Sequence, residues 1–458
     1  MTTQKPRESL MQRQIQPERI LACGFLVLIL LGTVLLCLPV STVDGRGLSV
    51  FDGLFTATSA VCVTGLVAVD TGTTFSPVGQ GILLALIEVG GLGFMVFATL
   101  IMGLLGRRLS LKNRVLIRES MSGTTLSGLV DVTRVYVCIA LGIEAVGALL
   151  LSFRFVPCFG WGQGIWYAVF HAVSAFCNAG FDLFGNFSSL TSFYDDPLVV
   201  LTVSALIIMG SMGFLVIFEV LRDRGSWKKL SLHSRVALIA TAGLLLGGSL
   251  LFALIEWDNP ATLAVEGSTV GSKLLGAFFQ SVTMRTAGFN TIDLAGMTGA
   301  GKLVAVVLMF IGASPASTGG GVKTTTVALV MLVVWSVIRG NEDVTALKKR
   351  LPEELARRAL TIVTISMLLT LAGTIVLACI ERDGVPLIDL LFETTSAVAT
   401  VGVSAAGTPS LSPVSRAFII PMMYFGRVGP LTMALAFANR QNNTKNRVRY
   451  PEERIMIG

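Results

Sequence analysis

Long apolar runs dominate this chain and are separated by short polar stretches. Runs of spanning length lie at about 20–40, 78–105, 135–153, 198–220, 236–255, 303–337, 360–380 and 414–438. A helix needs about twenty apolar residues to cross roughly 30 Å of hydrocarbon. The pattern therefore predicts an all-α membrane protein with eight transmembrane helices.

A shorter segment lies inside each successive pair of runs, and the four segments align. Each has a phenylalanine ten residues before a glycine that is followed by an apolar residue. The segments are FDGLFTATSAVCVTGL (51–66), WYAVFHAVSAFCNAGF (166–181), LLGAFFQSVTMRTAGF (274–289) and IDLLFETTSAVATVGV (388–403). About a dozen helical residues are too few to span the membrane, so each segment is interpreted as a re-entrant pore helix with a glycine loop.

Two crossings and one re-entrant excursion return the chain to the side it came from, so the four repeats are parallel around a central pore. Of the 35 Lys and Arg residues, 26 lie in the tails and the linkers between repeats, which places these segments in the cytoplasm by the positive-inside rule. The predicted divisions are an N-terminal tail (1–20), repeat 1 (21–105), linker and repeat 2 (106–220), linker and repeat 3 with a second helix broken at 312–322 (221–337), linker and repeat 4 (338–438), and a C-terminal tail (439–458).

Composition agrees with a membrane protein. The 458 residues are 53% hydrophobic and 14% charged, with a mean hydropathy of +0.76, whereas a soluble chain carries about 25% charged residues. The net charge of +7 does not indicate nucleic acid, because the basic residues follow the connections between apolar runs. Seven cysteines without a CxxC pair and two histidines argue against a zinc site or a disulfide framework. We expect no cofactor in this chain.

The glycine loops are the candidate selectivity filter. Four parallel units bring four loops to one axis, where irregular backbone can line water and ringed carbonyls can replace the hydration shell of a monovalent cation. The side chains are neutral and mostly small, so backbone carbonyls would bind the cation. The candidate filter residues are Val63, Thr64, Gly65, Asn178, Ala179, Gly180, Thr286, Ala287, Gly288, Thr400, Val401 and Gly402.

A polar run interrupts the apolar stretch 303–337 and is the candidate gating loop. Its residues are Gly312, Ala313, Ser314, Pro315, Ala316, Ser317, Thr318, Gly319, Gly320 and Gly321. A phosphate-binding loop is disfavoured because Val322, not glycine, precedes Lys323. A serine hydrolase using Ser314 is disfavoured because the two histidines lie on a pore helix and in a linker.

Charged residues within the apolar runs are candidate gate partners. An arginine at the centre of a spanning helix costs about 2.5 to 3.5 kcal/mol on insertion scales. Gly426 and Gly312 both lie 24 residues after their loop glycines, so Arg427 should face the start of the polar run and donate to its carbonyls; snorkelling to the interface is the alternative. Glu88 and Lys323 are further candidates, with a buried protonated acid and an interfacial lysine as their alternatives.

Glycine pairs recur in the second helices of repeats 1, 2 and 4. We interpret them as close-packing positions, with helix bending as the alternative. The pairs are Gly90 and Gly93, Gly210 and Gly213, and Gly426 and Gly429.

Helix, pore helix, glycine loop and helix, four times in one chain, resembles the superfamily of K+ transporters that includes the Trk, Ktr and HKT proteins. TMRTAGFN (283–290) and the glycine-rich run 312–322 are the most specific matches, and eight crossings are most similar to Ktr-type membrane subunits. The resemblance implies a K+ path along the filter glycines and a gate at the broken helix. It also implies a cytoplasmic ring of nucleotide-binding regulatory subunits (KtrA/TrkA-like), a homodimer, and a bacterial plasma (inner) membrane with both termini in the cytoplasm.

The choice of ion is left open by the sequence. Each loop has a single filter glycine, whereas K+ channel filters carry TVGYG in every subunit. K+ is the expected transported ion, with Na+ as a second candidate. A Na+-coupled K+ or Na+ carrier is the alternative function, because broken helices near the midplane also occur in carriers.

Overall fold

The computed structural model describes residues 17–93, 129–341, 343–429 and Thr432. The described chain is helical, apart from a small hairpin of strands Thr345–Ala346 and Lys349–Arg350. The predicted C-terminal tail, most of the N-terminal tail and linker residues 106–128 lie outside the described residues, as does the end of repeat 1.

Four long helices are apolar enough to cross a membrane. Their faces include many exposed Leu, Val and Ile side chains, as expected where the surrounding solvent is lipid. The long helices are Pro17–Leu36, Leu129–Phe159, Leu232–Glu256 and Glu353–Glu381.

A short helix follows each long helix and packs against it. The short helices are Val50–Val61, Trp161–Phe176, Val270–Thr283 and Leu387–Ala399. The aligned phenylalanines Phe55, Phe170 and Phe392 are fully buried, but in the third short helix Phe279 is fully buried and Phe278 only partly. The third short helix therefore buries the phenylalanine one position later than the other three.

Further helices follow each glycine turn and vary in length. After the one-turn helix Thr71–Thr74, they are Pro77–Leu92, Pro197–Ser211 with Phe214–Arg222, Gly299–Phe310 with Thr324–Ile338, and Pro413–Val428. Counting the second of these as one bent span gives up to five spans by length and composition within the described chain. That pair is bent by 99°, a break that the continuous apolar run 198–220 did not predict.

The paired glycines have two different roles. At the first glycine of each pair, an added Cβ would lie 2.2 Å or less from a short-helix carbonyl oxygen, so these are close-packing positions. The second glycines, Gly93, Gly213 and Gly429, have φ of 88°, 88° and 92° and end a helix or separate two helices. The first glycine of each pair is thus a close-packing position, and the second glycine marks the point where the helix ends or breaks.

A buried ion pair joins the third and fourth segments. The Nζ atom of Lys302, on Gly299–Phe310, lies 2.6 Å from Oδ1 of Asp389, on Leu387–Ala399. Their side chains are 8% and 11% exposed. Because both charges are withdrawn from water, the pair fixes how the two helices pack, and removal of one partner leaves an uncompensated charge.

Replacing Lys302 with methionine should therefore lower the free energy of unfolding by about 3 to 5 kcal/mol. The measurement is thermal unfolding of the purified protein in detergent. The double variant Lys302→Met/Asp389→Leu should recover most of the loss. Arg357→Met, which breaks an exposed pair with Glu353, is the matched control and should change stability by less than about 1 kcal/mol. A single variant as stable as the wild type would show that the pair does not hold the helices.

Candidate functional site

The four glycine turns share an unusual backbone. The residue two before each glycine is left-handed although it is not glycine: φ is 54° at Val63, 57° at Asn178, 71° at Thr286 and 51° at Thr400. The glycines follow with φ between 69° and 96°. Left-handed β-branched residues are strained, and such strain persists only where surrounding structure imposes it. Alternating left-handed residues allow successive carbonyls to turn towards one side.

The turns meet in a closed ring. A Cβ added at Gly65 would lie 2.4 Å from the Ala179 carbonyl oxygen, and one at Gly180 would lie 2.9 Å from that of Ala287. The contacts continue from Gly288 to Val401 O (2.8 Å) and from Gly402 to Thr64 O (2.1 Å). Each glycine thus packs on the carbonyl that precedes the next glycine, and the fourth turn contacts the first. The structure brings the predicted filter residues together, and a side chain at these glycines would collide with backbone.

Hydroxyl groups of the short helices anchor the turns. The amide groups of Gly65 and Gly402 each donate to a serine Oγ six residues earlier, Ser59 or Ser396, at 3.0 Å. Ser174 Oγ donates to Phe181 O at 2.8 Å, and Thr283 Oγ1 donates to Phe289 O. The sequence reasoning missed these residues. The signal was present, because three of the four aligned segments carry serine six residues before the glycine.

The polar run 312–321 folds back on itself. Gly312 N donates to Val322 O at 3.0 Å, and Ala313 N donates to Gly320 O at 3.2 Å. The run is also bonded to the bend in the second segment: Ser314 N donates to Ser211 O at 3.0 Å, and Phe214 N donates to Ala316 O at 2.9 Å. It is therefore a docked hairpin-like loop.

Thr318 has the most contacts to other segments. Its amide donates to Gly210 O at 3.2 Å, and its hydroxyl donates to Phe176 O and accepts from Asn178 Nδ2, both at 3.0 Å. Its carbonyl accepts from Arg427. The sequence contains no reason to prefer Thr318 among ten loop residues, since its importance arises from contacts to two other segments, the second and the fourth.

Arg427 joins three parts of the chain. Nη1 donates to Thr318 O, and Nη2 donates to the carbonyls of Gly90 (2.5 Å) and Gly91 (2.9 Å) at the end of a helix in the first segment. Register predicted a contact at Gly312, but the contact falls six residues later because the loop folds back instead of continuing the helix. Lys323 Nζ donates to Gly319 O at 2.7 Å, which places a second cation on the same loop.

Glu88 lies behind the second turn, and its described hydrogen bonds do not include the polar run. Cys177 Sγ donates to its Oε2 at 3.4 Å and lies 4.0 Å from Glu144 Oε1. Acceptor groups from the three residues lie within 4.8 Å of one another. The structure therefore groups Glu88 with a thiol and a second acid, and not with Arg427 and Lys323 on the loop.

Comparisons with known proteins agree in family and fold. Residues 18–447 match the family model TrkH, described as a cation transport protein. The chain is 39% identical to the Ktr system potassium uptake protein B of Bacillus subtilis, over 96% of this chain and 97% of that protein. It is also 39% identical to the potassium/sodium uptake protein NtpJ of Enterococcus hirae, over 100% of both.

A solved structure shows the same fold. The crystal structure of the potassium transporter TrkH from Vibrio parahaemolyticus aligns with a TM-score of 0.70 at 18% identity, covering 95% of this chain and 87% of that one. The resemblance drawn from the sequence is confirmed, and the chain belongs to the Trk/Ktr family of membrane cation transport proteins.

Proposed function

We propose that this chain is the ion-translocating subunit of a potassium uptake system, in which K+ passes through the ring of four glycine turns. The observation that carries the proposal is the closed ring itself, in which every glycine packs on a neighbouring carbonyl. Carbonyl dipoles held in a ring can replace the water around K+. Relatives that match almost full length are named for potassium uptake, and K+ is here the cargo and not a resident cofactor.

The proposed membrane arrangement is four parallel repeats and eight crossings. Each long helix would cross once, each short helix would enter and return as a pore helix, and the helices after each turn would complete the second crossing. Two features support it: the same element order occurs in all four segments, and basic residues concentrate in the linkers. Both termini would then lie in the cytoplasm of a bacterial cell.

The loop 312–321 is the proposed gate. It lies against the second turn through Thr318 and Asn178, and Arg427 and Lys323 both donate to its carbonyls. The positive charges of Arg427 and Lys323 would hold the uncharged loop in place beneath the cation path. They would also repel K+ while the loop is closed. Glu88, which is bonded to Cys177 at the second turn and not to the loop, would act on the gate indirectly.

A partner is proposed from the relatives' names. Three relatives are named as protein B or protein D of a Ktr system. For this chain we propose a homodimer that carries a cytoplasmic ring of nucleotide-binding regulatory subunits (KtrA/TrkA-like) on its basic linkers.

A Na+-coupled carrier is the second candidate. The relative from Enterococcus hirae is named for potassium and sodium uptake, and each turn carries one filter glycine. Saturation at low turnover, dependence on Na+ and the absence of single-channel currents would favour the carrier.

Expression of the chain should restore growth of K+-uptake-deficient bacteria at low K+, and purified protein should take up Rb+ in proteoliposomes. Gly402→Ala should abolish both, because the added methyl group meets Thr64 O at 2.1 Å and φ is 96°. Gly247→Ala is the matched control, since no atom lies within 4 Å of its added Cβ. Absence of uptake by the wild type, with and without Na+, would contradict potassium transport, and normal uptake by Gly402→Ala would contradict the ring as filter.

Arg427→Gln should raise basal Rb+ flux in proteoliposomes without regulatory subunits. Hydrogen bonds to a charged group contribute about 1.5 to 3 kcal/mol each, so loss of one from the closed loop should increase the open population roughly tenfold or more. Arg416→Gln, which removes a pair with Asp52, is the matched control. Unchanged flux in a well-folded Arg427→Gln protein would remove Arg427 from the gate.

Deletion of residues 313–321 should also raise basal flux, because it removes the backbone that covers the inner side of the ring. Deletion of the hairpin 345–350 is the control, since this linker segment packs on the helix Thr324–Ile338. If both deletions leave the same basal flux as the wild type, the loop is a break in the helix and not a gate.

A further inference from the structure

Two carboxyl groups and a thiol from distant parts of the chain meet behind the second turn. Cys177 Sγ donates to Glu88 Oε2 at 3.4 Å and lies 4.0 Å from Glu144 Oε1. One ligand atom from each of the three residues lies within 4.8 Å of the other two. Cys177 is 89 residues from one acid and 33 residues from the other. These separations explain why spacing in the sequence argued against a zinc site.

The two acids lack the basic partners that buried carboxylates normally have. Glu144 is 4% exposed, and Glu88 Oε1 is buried without a hydrogen-bond partner among the described residues. None of the ion pairs in the described chain includes Glu88 or Glu144. Buried charges in proteins are paired or coordinate metals. The cluster is therefore short of positive charge, and its unpaired buried oxygen points to a ligand.

The separations within the cluster fit a tetrahedral metal ion. Bonds of about 2.3 Å from Zn²⁺ to sulfur and about 2.1 Å to a carboxylate oxygen set those two ligand atoms roughly 3.6 Å apart. The two sulfur-to-oxygen distances, 3.4 and 4.0 Å, lie on either side of this value. Three protein ligands would leave the fourth position of the ion to water.

The thiol selects the class of metal. Mg²⁺ and Ca²⁺ prefer oxygen ligands, whereas thiolate and carboxylate together suit Zn²⁺ and similar thiophilic ions. As the metal binds, the Cys177 thiol gives up its proton to water. Cys62 has the equivalent position in the first turn and is also buried, but it is not part of a metal-ligating group in the described chain. The first turn therefore provides an internal comparison for the second.

The cluster adjoins the contacts that hold the proposed gate. Cys177 immediately precedes Asn178, whose Nδ2 donates to Thr318 Oγ1 of the loop. A Cβ added at Gly91 would lie 2.7 Å from Cys177 Sγ, and the Gly91 carbonyl accepts from Arg427. An ion bound to the cluster would therefore tie together the turn and the helix end that contact the loop and its arginine.

We propose that Glu88, Glu144 and Cys177 bind a thiophilic divalent cation such as Zn²⁺, and that binding inhibits ion passage. The metal stabilises the closed arrangement because it holds the second turn against the helix Pro77–Leu92 while the loop is docked. The inhibitory role rests on the proposed function, whereas the metal site itself does not.

Binding is measured by equilibrium dialysis of the purified full chain in detergent against radioactive Zn²⁺. Cysteines 23, 37, 138, 158 and 379 are replaced with serine to remove other thiols from this parent protein. Cys177→Ala and Glu144→Gln should each raise the Kd for Zn²⁺ about tenfold or more, since loss of even an outer partner of a metal ligand costs about 10–100-fold. Cys62→Ala is the matched control and should leave the Kd unchanged.

A thermal measurement checks that the variants fold and reports the site a second time. Zn²⁺ should raise the Tm of the parent and of Cys62→Ala, because a ligand that binds the folded state stabilises it. The Tm of Cys177→Ala should not respond to Zn²⁺, whatever its value without metal.

Zn²⁺ should also lower the initial rate of Rb+ uptake by proteoliposomes, and a chelator should restore the rate. Cys177→Ala, compared with its own metal-free rate, should need about tenfold or more Zn²⁺ for half inhibition. Cys62→Ala should keep the sensitivity of the parent.

The outcomes separate the site from its role. Equal Zn²⁺ affinity in the parent and in Cys177→Ala would overturn the site, and tight binding without inhibition would overturn the inhibitory role. Absence of Rb+ uptake by the metal-free wild type would overturn the proposed function instead, and dialysis would still decide the site.

Discussion

The fold depends on one steric constraint, that four turns from distant parts of the chain pack with backbone against backbone. At each contact a glycine lies where any side chain would collide with the backbone. It packs against the carbonyl group of the residue that precedes the next loop glycine. None of the residues that form the ring (63–65, 178–180, 286–288 and 400–402) is charged. The short helices supply hydroxyls that hold the turns, and the long helices supply the apolar surround that keeps the short helices away from lipid. The surrounding packing must therefore maintain left-handed residues such as Val63 and Thr286 against their own preference.

A second set of contacts, of a different character, holds the loop 312–321 beside the ring. Polar backbone of the loop 312–321 is bonded to the second segment at Gly210 and Ser211 and to the fourth at Arg427. Few of these contacts bury large apolar side chains. Segments held mainly by a few hydrogen bonds open more readily than packed cores, so the molecule combines a rigid ring with a loop that a small change in free energy can displace.

Local signals in the sequence were sufficient for the helical class, the four aligned segments and the loop glycines, because apolar length and glycine conformation are properties of short stretches. The bend between Ser211 and Phe214 was predicted only as the alternative for the paired glycines, since the apolar run continues through it; left-handed Gly213 and the docked loop both lie at the break. Equal spacing from the loop glycines predicted that Arg427 lies near Gly312. In the structure Arg427 donates to Thr318 O instead, because the direction in which the loop folds is set by the residues that it contacts. The contacts of Thr318 and the pair of Lys302 with Asp389 could not be predicted for the same reason, because each depends on residues far away in the chain.

The link between Arg427 and Gly90 spans 337 residues of sequence, and the turn at Gly402 likewise contacts the turn at Thr64. Biogenesis must therefore insert the first segment in the membrane long before its neighbours on both sides exist. Until the last segment arrives, the polar backbone of the first turn lacks the neighbour that it contacts in the folded chain. Late closure of contacts between the two ends of a chain is slow and leaves intermediates exposed to misassembly, so the first quarter of this protein needs water, lipid head groups or another protein as a temporary neighbour while the remainder is synthesised.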